Sequence, residues 1–291
     1  MLGVDLGLSG VVVRNAEMLP LLIDFIDGPY QVNGVAAASF VGLTGASFAR
    51  SGSGTATTLA GGVVSFGAGV QRITDQGLFL EALGTNLLGH SSVSGGSWYL
   101  AGPSRTAGLD DPAGGMDGTR LNFPAAADAQ CYCVPSIAAA VHTISVFARA
   151  VSGTKTFRLA YYDGSSTLAS SDFTATTTWR RFSFVFTGTG AGGEALSIVN
   201  GTSGVAGEVI VALAQVESGP VATSPIVTAG GPTTRAADVA SVTVPAGVSA
   251  WSAVFGEAGT VVTGTVTPGA SFDLVAGRPW LNVGLKRLTM R

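Results

Sequence analysis

Between residues 141 and 217 the chain alternates apolar side chains with polar or small ones in several short segments. The alternation is clearest in Ile144–Ala148 and Phe157–Tyr161, and Phe182–Phe186 places three phenylalanines on one face. A period of two residues sends successive side chains to opposite faces of a β-strand, so each segment can bury one face and expose the other. Short strands are not stable alone, and several of them separated by turns indicate two sheets packed face to face. We therefore predict an all-β fold with a jelly-roll β-sandwich at residues 86–222.

The alternation is weaker on both sides of this region. Residues 33–69 are rich in Gly, Ala, Ser and Thr and carry few large apolar side chains. Such a segment gains little by packing on itself, so residues 1–85 are predicted to form an extended N-terminal arm that lies along another surface. A stretch with several Pro and Gly residues follows the sandwich at 218–232. Residues 223–291 are predicted to form a linker and a small C-terminal β-rich unit, which docks on the sandwich or on copies of itself.

Composition favours strands over helices. The 291 residues include 42 glycines, and 46% are hydrophobic but only 11% are charged, which suits strands joined by tight turns and excludes a disordered chain. The formal net charge is −3 and no basic run is present, so no nucleic-acid partner is expected. The apolar run Met18–Ile23 is far shorter than the roughly 20 residues of a membrane-spanning helix and lacks the pattern of a secretory signal peptide. We expect no membrane insertion and synthesis in the cytoplasm of the producing cell.

Ten short motifs follow one another in order between residues 45 and 245. They are Phe48–Ser51, Gly77–Glu81, Thr85–Leu88, Trp98, Asp117–Leu121, Ile144–Ala150, Trp179–Phe182, Ala214–Gly219, Ala222–Ile226 and Thr234–Val239. In this order they resemble fibre, spike or baseplate-associated proteins of tailed phages that are built on a jelly roll like that of carbohydrate-binding modules. The chain departs from these proteins at Gly84, where relatives often carry an arginine, and at Ala212–Leu213, where they often have an aromatic residue nearby.

The resemblance implies a non-enzymatic structural component of a virion or phage-like particle, with head fibre, tail fibre and baseplate locations all left open. Its partners would be other virion structural proteins and copies of itself, with a trimer favoured because phage fibres of this kind are commonly trimeric. It also implies contact with host-surface polysaccharide during adsorption, and it implies no catalytic residue. No cofactor is expected apart from the calcium ion considered below. The alternative, from a different functional class, is a stand-alone carbohydrate-binding module of a glycan-targeting protein.

Aromatic side chains are the strongest binding candidates, because the apolar face of a sugar ring stacks on an exposed Trp or Tyr. The candidates for a glycan site are Trp98, Tyr99, Tyr161, Tyr162 and Trp179. Tyr161 and Tyr162 are adjacent and therefore face opposite sides of a strand, so one of them points outward. Packing in the core or at its rim is the alternative for each of these residues.

Three carboxylates, Asp110, Asp111 and Asp117, occur in one loop that contains Gly and Pro. Calcium takes oxygen ligands from such loops, but the spacing is not that of an EF-hand, and an ordinary turn is the alternative. Cys131 and Cys133 would point to one face of a strand. Without a second cysteine pair they predict buried thiols rather than a zinc site.

No set of catalytic residues stands out. The spacing of Glu194, Glu208 and Glu217 does not indicate the facing carboxyl pair of a glycosidase, so the chain is predicted not to be an enzyme. Arg235 and Asp238 are expected to fasten the segment after the sandwich by a hydrogen bond or an ion pair, worth about 0–1 kcal/mol if exposed.

Overall fold

The computed structural model describes residues 19–279 and 281–291. Nearly all regular structure among them is β-strand, and the 3₁₀ turn Phe40–Gly42 is the one helical segment of this part of the chain. The strands before the sandwich are β1 (Leu21–Asp24), β2 (Tyr30–Val32), β3 (Val35–Ala37), β4 (Ala46–Ala49), β5 (Gly54–Thr57), β6 (Val63–Phe66), β7 (Arg72–Thr74), β8 (Gly77–Phe79) and β9 (Gly84–Asn86). Those of the sandwich are β10 (Trp98–Ala101), β11 (Ser104–Leu109), β12 (Gly118–Phe123), β13 (Gln130–Cys133), β14 (Val141–Ala150), β15 (Lys155–Tyr162), β16 (Thr167–Ala175), β17 (Arg180–Thr187), β18 (Ala195–Asn200) and β19 (Gly207–Ser218). Those that follow are β20 (Thr233–Arg235), β21 (Val239–Thr243), β22 (Ala250–Phe255), β23 (Thr260–Thr265), β24 (Ser271–Asp273) and β25 (Leu285–Met290). The predicted all-β class is confirmed.

Strands β10–β19 form two antiparallel five-stranded sheets that face each other. The order of sheet 1 is β10-β13-β18-β15-β16, and the order of sheet 2 is β11-β12-β19-β14-β17. The chain passes from one sheet to the other several times, as in a jelly roll. The predicted jelly-roll sandwich is confirmed.

Alternate side chains of the two sheets form the core of the sandwich. On β15, Phe157, Leu159 and Tyr161 are fully buried. Phe157 meets Phe182 of sheet 2 edge-on at a ring-centroid distance of 5.3 Å, and Tyr161 stacks on Phe186 at 4.6 Å. The aromatic contacts that join the two sheets therefore come from the alternating segments visible in the sequence.

The N-terminal and C-terminal flanks form one shared unit, here called the flanking unit (residues 19–80 and 239–291). The central strand β1 pairs along its whole length with β25, with Leu22 opposite Thr289. They lie within a sheet whose order is β23-β22-β25-β1-β2-β3. The flanking unit has its own buried core, which includes Leu21, Ile23, Phe40, Leu78, Leu80, Val242, Leu274, Leu285, Leu288 and Met290.

The prediction of an extended N-terminal arm is therefore corrected, with the first 18 residues of that arm lying outside the described residues. The C-terminal segment is rich in β-strands as predicted, but it is not a separate unit. The sparse apolar residues of each flank cannot build a core alone, and they complement those of the other flank. Asp24 of the N-terminal flank and Arg287 of the C-terminal flank form an ion pair although they are 263 residues apart.

A β-bulge in β19 decides which side chains face away from the sandwich core. The pairing of β19 with β14 shifts register beside Leu213, whose φ is 51°. Val211 points into the core before the bulge and Val216 after it. The extra residue thereby turns Gln215 and Glu217 to the outer face, toward the segment that follows the sandwich.

No helix of the described residues is both long enough and apolar enough to cross a membrane.

Candidate functional site

The outer face of sheet 1 carries a groove of about 450 Å³. Its floor consists of small or short side chains on the central strand β18 and on its neighbour β15, namely Ala195, Ser197 and Val199 of β18 and Ala160 of β15. Their neighbours along each strand point into the core, so strand alternation directs these four outward. Small side chains on adjacent strands leave the space above them open.

Tyrosine side chains stand on both sides of this floor. Tyr132 of β13 lies opposite Ser197, and Ser197 lies opposite Ala160. Tyr162, two residues beyond Ala160 on β15, also lines the groove. Because neighbouring strands are about 4.8 Å apart, the β13 and β15 backbones are about 10 Å apart. Tyr162 lies opposite Ala195, so the two tyrosines flank β18 on a diagonal, two residues apart along that strand. Tyr99 extends one wall, with its ring centroid 5.5 Å from that of Tyr132.

Polar groups lie at one end of the groove. Arg158 of β15 reaches toward the loop before β13, where its Nη2 donates to the carbonyl of Ala127 at 3.2 Å. Its Nε is buried and has no hydrogen-bond partner among the described residues. Asp128 and Gln130 line the same end. The groove therefore combines flat aromatic walls with hydrogen-bond donors and acceptors, an arrangement typical of small-molecule sites.

Two of the five aromatic residues predicted as glycan contacts lie at this face. Tyr99 is 54% exposed, and Tyr162 is half-buried and lines the groove. Trp98 and Tyr161 are in the core of the sandwich, where the Trp98 Nε1 donates to the carbonyl of His90 and the Tyr161 hydroxyl to Glu194. The prediction that these two bind glycan is wrong, because a fully buried ring has no face to offer a ligand.

Trp179 is on the opposite side of the sandwich. It immediately precedes β17 of sheet 2 and is half-buried, and the guanidinium carbon of Arg149 lies 5.2 Å from its ring centroid. It lines a cleft between sheet 2 and the flanking unit. The structure therefore does not bring Trp179 together with Tyr99 and Tyr162.

Tyr132 was not among the predicted glycan contacts, although its position in the sequence indicates an outward side chain. Cys131 and Cys133 are both buried, as predicted. Because side chains alternate along a strand, the residue between two inward cysteines must point outward. Burial raises the pKa of Cys131 to about 12, so this thiol stays protonated and unreactive near neutral pH.

The three aspartates considered as calcium ligands do not converge on one point. Both oxygens of Asp111 accept backbone N–H groups of its own loop, including that of Asp117 at 3.0 Å. Asp110 forms an ion pair with Arg149 at 2.7 Å. A carboxylate that caps its own loop in this way stabilises a turn, which is the alternative weighed from the sequence. Among the described residues, no group of three or more His, Cys, Asp or Glu side chains could hold a metal ion.

The three glutamates considered as a glycosidase pair are held by separate partners. Glu194 accepts a hydrogen bond from Tyr161, and Glu217 accepts one from Thr223. Glu208 takes part in a partly exposed ion pair. None of these contacts places two of the carboxyls across a common cleft.

A buried group of charged side chains, here called the junction cluster, joins the flanking unit to the segment after the sandwich. Arg72 donates to both Glu81 and Asp238, Arg50 pairs with Asp238 at 3.1 Å, and Arg235 pairs with Glu81 at 3.4 Å. Burial by itself would raise the pKa of Glu81, but the charges of Arg72 and Arg235 outweigh it, so that the pKa lies below 4.5. Arg235 and Asp238 thus fasten this segment as predicted. They are buried, however, so the small value of an exposed pair does not apply.

No protein-family model matches the chain, and no curated protein matches it by sequence. Solved structures similar to it include a CBM4 carbohydrate-binding module (15% identity, 42% of this chain and 86% of that chain, TM-score 0.34). Another is the CBM22-1 xylan-binding domain of Xyn10C from Paenibacillus barcinonensis (16% identity, 49% and 99%, TM-score 0.39). A third is the enzymatically active domain of tailspike protein 4 of bacteriophage CBA120 (13% identity, 45% and 21%, TM-score 0.32). At these identities and TM-scores the matches say nothing about what this chain binds.

Proposed function

We propose that this chain is a structural component of a tailed-phage or phage-like particle and binds host-surface polysaccharide through the groove on sheet 1. The main support for polysaccharide binding is the placement of Tyr132 and Tyr162 on opposite sides of β18, above a floor of small residues. Arg158 supplies hydrogen-bond donors at one end of the same groove.

A pyranose has two apolar faces formed by C–H groups and a rim of hydroxyls. The faces pack on aromatic rings such as those of Tyr132 and Tyr162, which lose little conformational freedom on binding. The rim hydroxyls exchange hydrogen bonds with Arg158, Asp128 and Gln130. An open groove on a rigid sheet accepts an internal segment of a long polymer as well as its end.

The particle part of the proposal rests on the ordered set of motifs that resembles phage fibre, spike and baseplate-associated proteins. The packing of the two flanks adds no support, because together they form the flanking unit, which has its own buried core. Self-association is supported by the edge strands β3 and β23, each of which has a neighbouring strand on one side only within the described part of the chain. Val35 is 71% exposed and Val261 is 61% exposed, and β23 carries no charged residue. An uncharged edge of this kind is suited to pairing with another chain.

A glycan array that displays bacterial capsular, lipopolysaccharide and cell-wall saccharides tests the binding part. The wild-type protein is expected to bind a subset of these saccharides, and Tyr132→Ala is expected to bind none of them. Equal binding by wild type and Tyr132→Ala would show that the groove is not the binding site.

Immunogold labelling of particles induced from the cell that carries the gene tests the particle part. Gold on the particle surface is the expected result. Glycan binding by the purified protein with no label on particles would instead favour the stand-alone carbohydrate-binding module.

A further inference from the structure

The outer face of sheet 1, which holds the groove, carries more negative than positive charge. Among the described residues, Arg158 is the only cation that the strands of sheet 1 direct outward, because Lys155 of the same strand points into the core and is 6% exposed. Three carboxylates lie on or beside this face: Asp172 on β16, Asp128 in the loop before β13, and Asp163 in the turn after β15. A cation that approaches the groove is therefore attracted, and an anion is repelled.

The charge of Arg158 is balanced on its own side of the groove. Asp172 lies directly opposite Arg158 in the pairing of β15 with β16, so the two side chains are neighbours on the outer face. The Arg158 Nη2 donates to the carbonyl of Ala127 at 3.2 Å, and Asp172 accepts a hydrogen bond from the Thr202 hydroxyl at 2.5 Å. Arg158 is thus held at one end of the groove, with a carboxylate on the adjacent strand.

The carboxylate of Asp128 has no such counter-charge. It lines the groove, is exposed, and makes no hydrogen bond or ion pair with any described residue. Asp128 directly follows Ala127, whose carbonyl holds Arg158, yet the two charged side chains form no ion pair. An uncompensated carboxylate at the end of a groove is a ready acceptor for the N–H groups of a cation.

The aromatic walls favour the same sign of charge. The face of a tyrosine ring attracts a cation through the ring quadrupole, and Tyr99, Tyr132 and Tyr162 stand along the groove. Gln130 lies between Asp128 and Tyr132 on the β13 side of the groove. Asp128 and Tyr132 are four residues apart, which is at most about 14 Å along an extended chain. They are therefore placed to contact different rings of one oligosaccharide.

We propose that the groove binds a saccharide with free amino groups, in which one ring packs on Tyr132 and the ammonium of a neighbouring ring pairs with Asp128. This inference rests on the function proposed above and names the chemical class of the saccharide. An amino sugar presents an apolar ring face and a cation in one residue, whereas a lysine-rich peptide presents the cation without the ring. A sugar acid in the same position would place its carboxylate beside that of Asp128, and like charges repel.

Isothermal titration calorimetry of the full chain with a glucosamine trimer tests the proposal, with the N-acetylated trimer as the neutral probe and trilysine as the basic peptide. A mildly acidic buffer keeps the amines protonated and Asp128 ionised. Wild type is expected to bind the glucosamine trimer about fivefold or more tightly than the N-acetylated trimer, because a charge-assisted hydrogen bond replaces a neutral one. Trilysine is expected to bind more weakly as well, because it has no ring face to pack on Tyr132.

Asp128→Asn, at an exposed position, is expected to bind the two trimers within about twofold of each other. The matched control Asp117→Asn removes the same charge from an exposed loop of sheet 2 and is expected to keep the preference for the glucosamine trimer.

The proposal is overturned if wild type does not bind the glucosamine trimer, if it binds the N-acetylated trimer or trilysine equally well, or if Asp128→Asn keeps the preference. The proposed function stands after any of these results as long as Tyr132→Ala loses the saccharides found on the glycan array. Binding of the glucosamine trimer that Tyr132→Ala leaves unchanged would instead contradict the groove as the site.

Discussion

The guanidinium of Arg72 donates to the carboxylate of Asp238, a residue 166 positions further along the chain, and both side chains are completely buried. Arg72 belongs to β7 of the flanking unit, and Asp238 directly precedes β21. The jelly roll occupies the sequence between them. This contact therefore holds together the two places where the chain leaves the flanking unit and where it returns to it.

Removal of the Asp238 carboxylate is expected to destabilise the protein strongly. In Asp238→Ala, Arg50 and Arg72 lose their shared anion in a buried site, and breaking a buried ion pair from one side costs about 3–5 kcal/mol. The matched control is Asp110→Ala, which removes the 61% exposed partner of Arg149 and is expected to cost about 0–1 kcal/mol. Chemical denaturation measures both, and similar losses in the two variants would contradict a structural role for the junction cluster.

The junction cluster also predicts a loss of stability in acid. The pKa of Glu81 is below 4.5 in the folded protein because Arg72 and Arg235 outweigh the opposing effect of its burial. A lowered folded-state pKa contributes stability that is complete above the unfolded-state pKa and is lost as the pH falls through the folded value. The difference in free energy of unfolding between wild type and Glu81→Gln is therefore expected to shrink as the pH falls from 7 to 3. A difference that stays constant over this range would show that ionised Glu81 contributes no stability.

The shared core of the flanking unit predicts a large effect at Leu288. This residue of β25 is fully buried beside β1 and β22, so Leu288→Ala is expected to cost about 2–5 kcal/mol by leaving a cavity. Val261→Ala, on the exposed face of the edge strand β23, is expected to change stability by no more than about 0.5 kcal/mol. Thermal and chemical denaturation compare the two. A Leu288→Ala variant as stable as wild type would support a loosely packed C-terminal segment instead.

Calcium is expected to leave the Tm unchanged. The carboxylate of Asp111 is taken up by N–H groups of its own loop, and that of Asp110 by Arg149. A ligand that binds only the folded state raises the Tm, and the rise grows with the concentration of the ligand. A rise in Tm that grows with calcium concentration, and that disappears in Asp117→Asn, would restore the calcium interpretation.

The sandwich was predictable because its strands show strong alternation. In Phe157–Tyr161 and Phe182–Phe186 every second residue is large and apolar, and these side chains meet in the core. The flanking unit was not predictable in the same way. In its sheet Leu22 pairs with Thr289. The local pattern of apolar and polar residues does not predict which distant strand a short strand will pair with.

The candidate site was predictable only in part. Alternation shows that one of Tyr161 and Tyr162 must face outward, but not which one, because the choice depends on which face of sheet 1 meets sheet 2. Trp98 is of a residue type that often binds sugars. It is only 2% exposed, however, because its ring packs in the core of the sandwich. Tyr132 could have been identified from its two inward-facing neighbours.

Calorimetric titration of a polysaccharide selected on the glycan array into wild type, Tyr132→Ala and Tyr162→Ala measures directly whether the sheet 1 groove is the binding site. The control is Val185→Ala, at a 46% exposed position on sheet 2. We predict that each tyrosine variant weakens binding by at least about tenfold while the control binds as wild type does. Truncation of a central contact residue costs about 2 kcal/mol or more, and a tenfold loss of affinity corresponds to about 1.4 kcal/mol. Unchanged affinity in both tyrosine variants would contradict the assignment of the sheet 1 groove as the polysaccharide site.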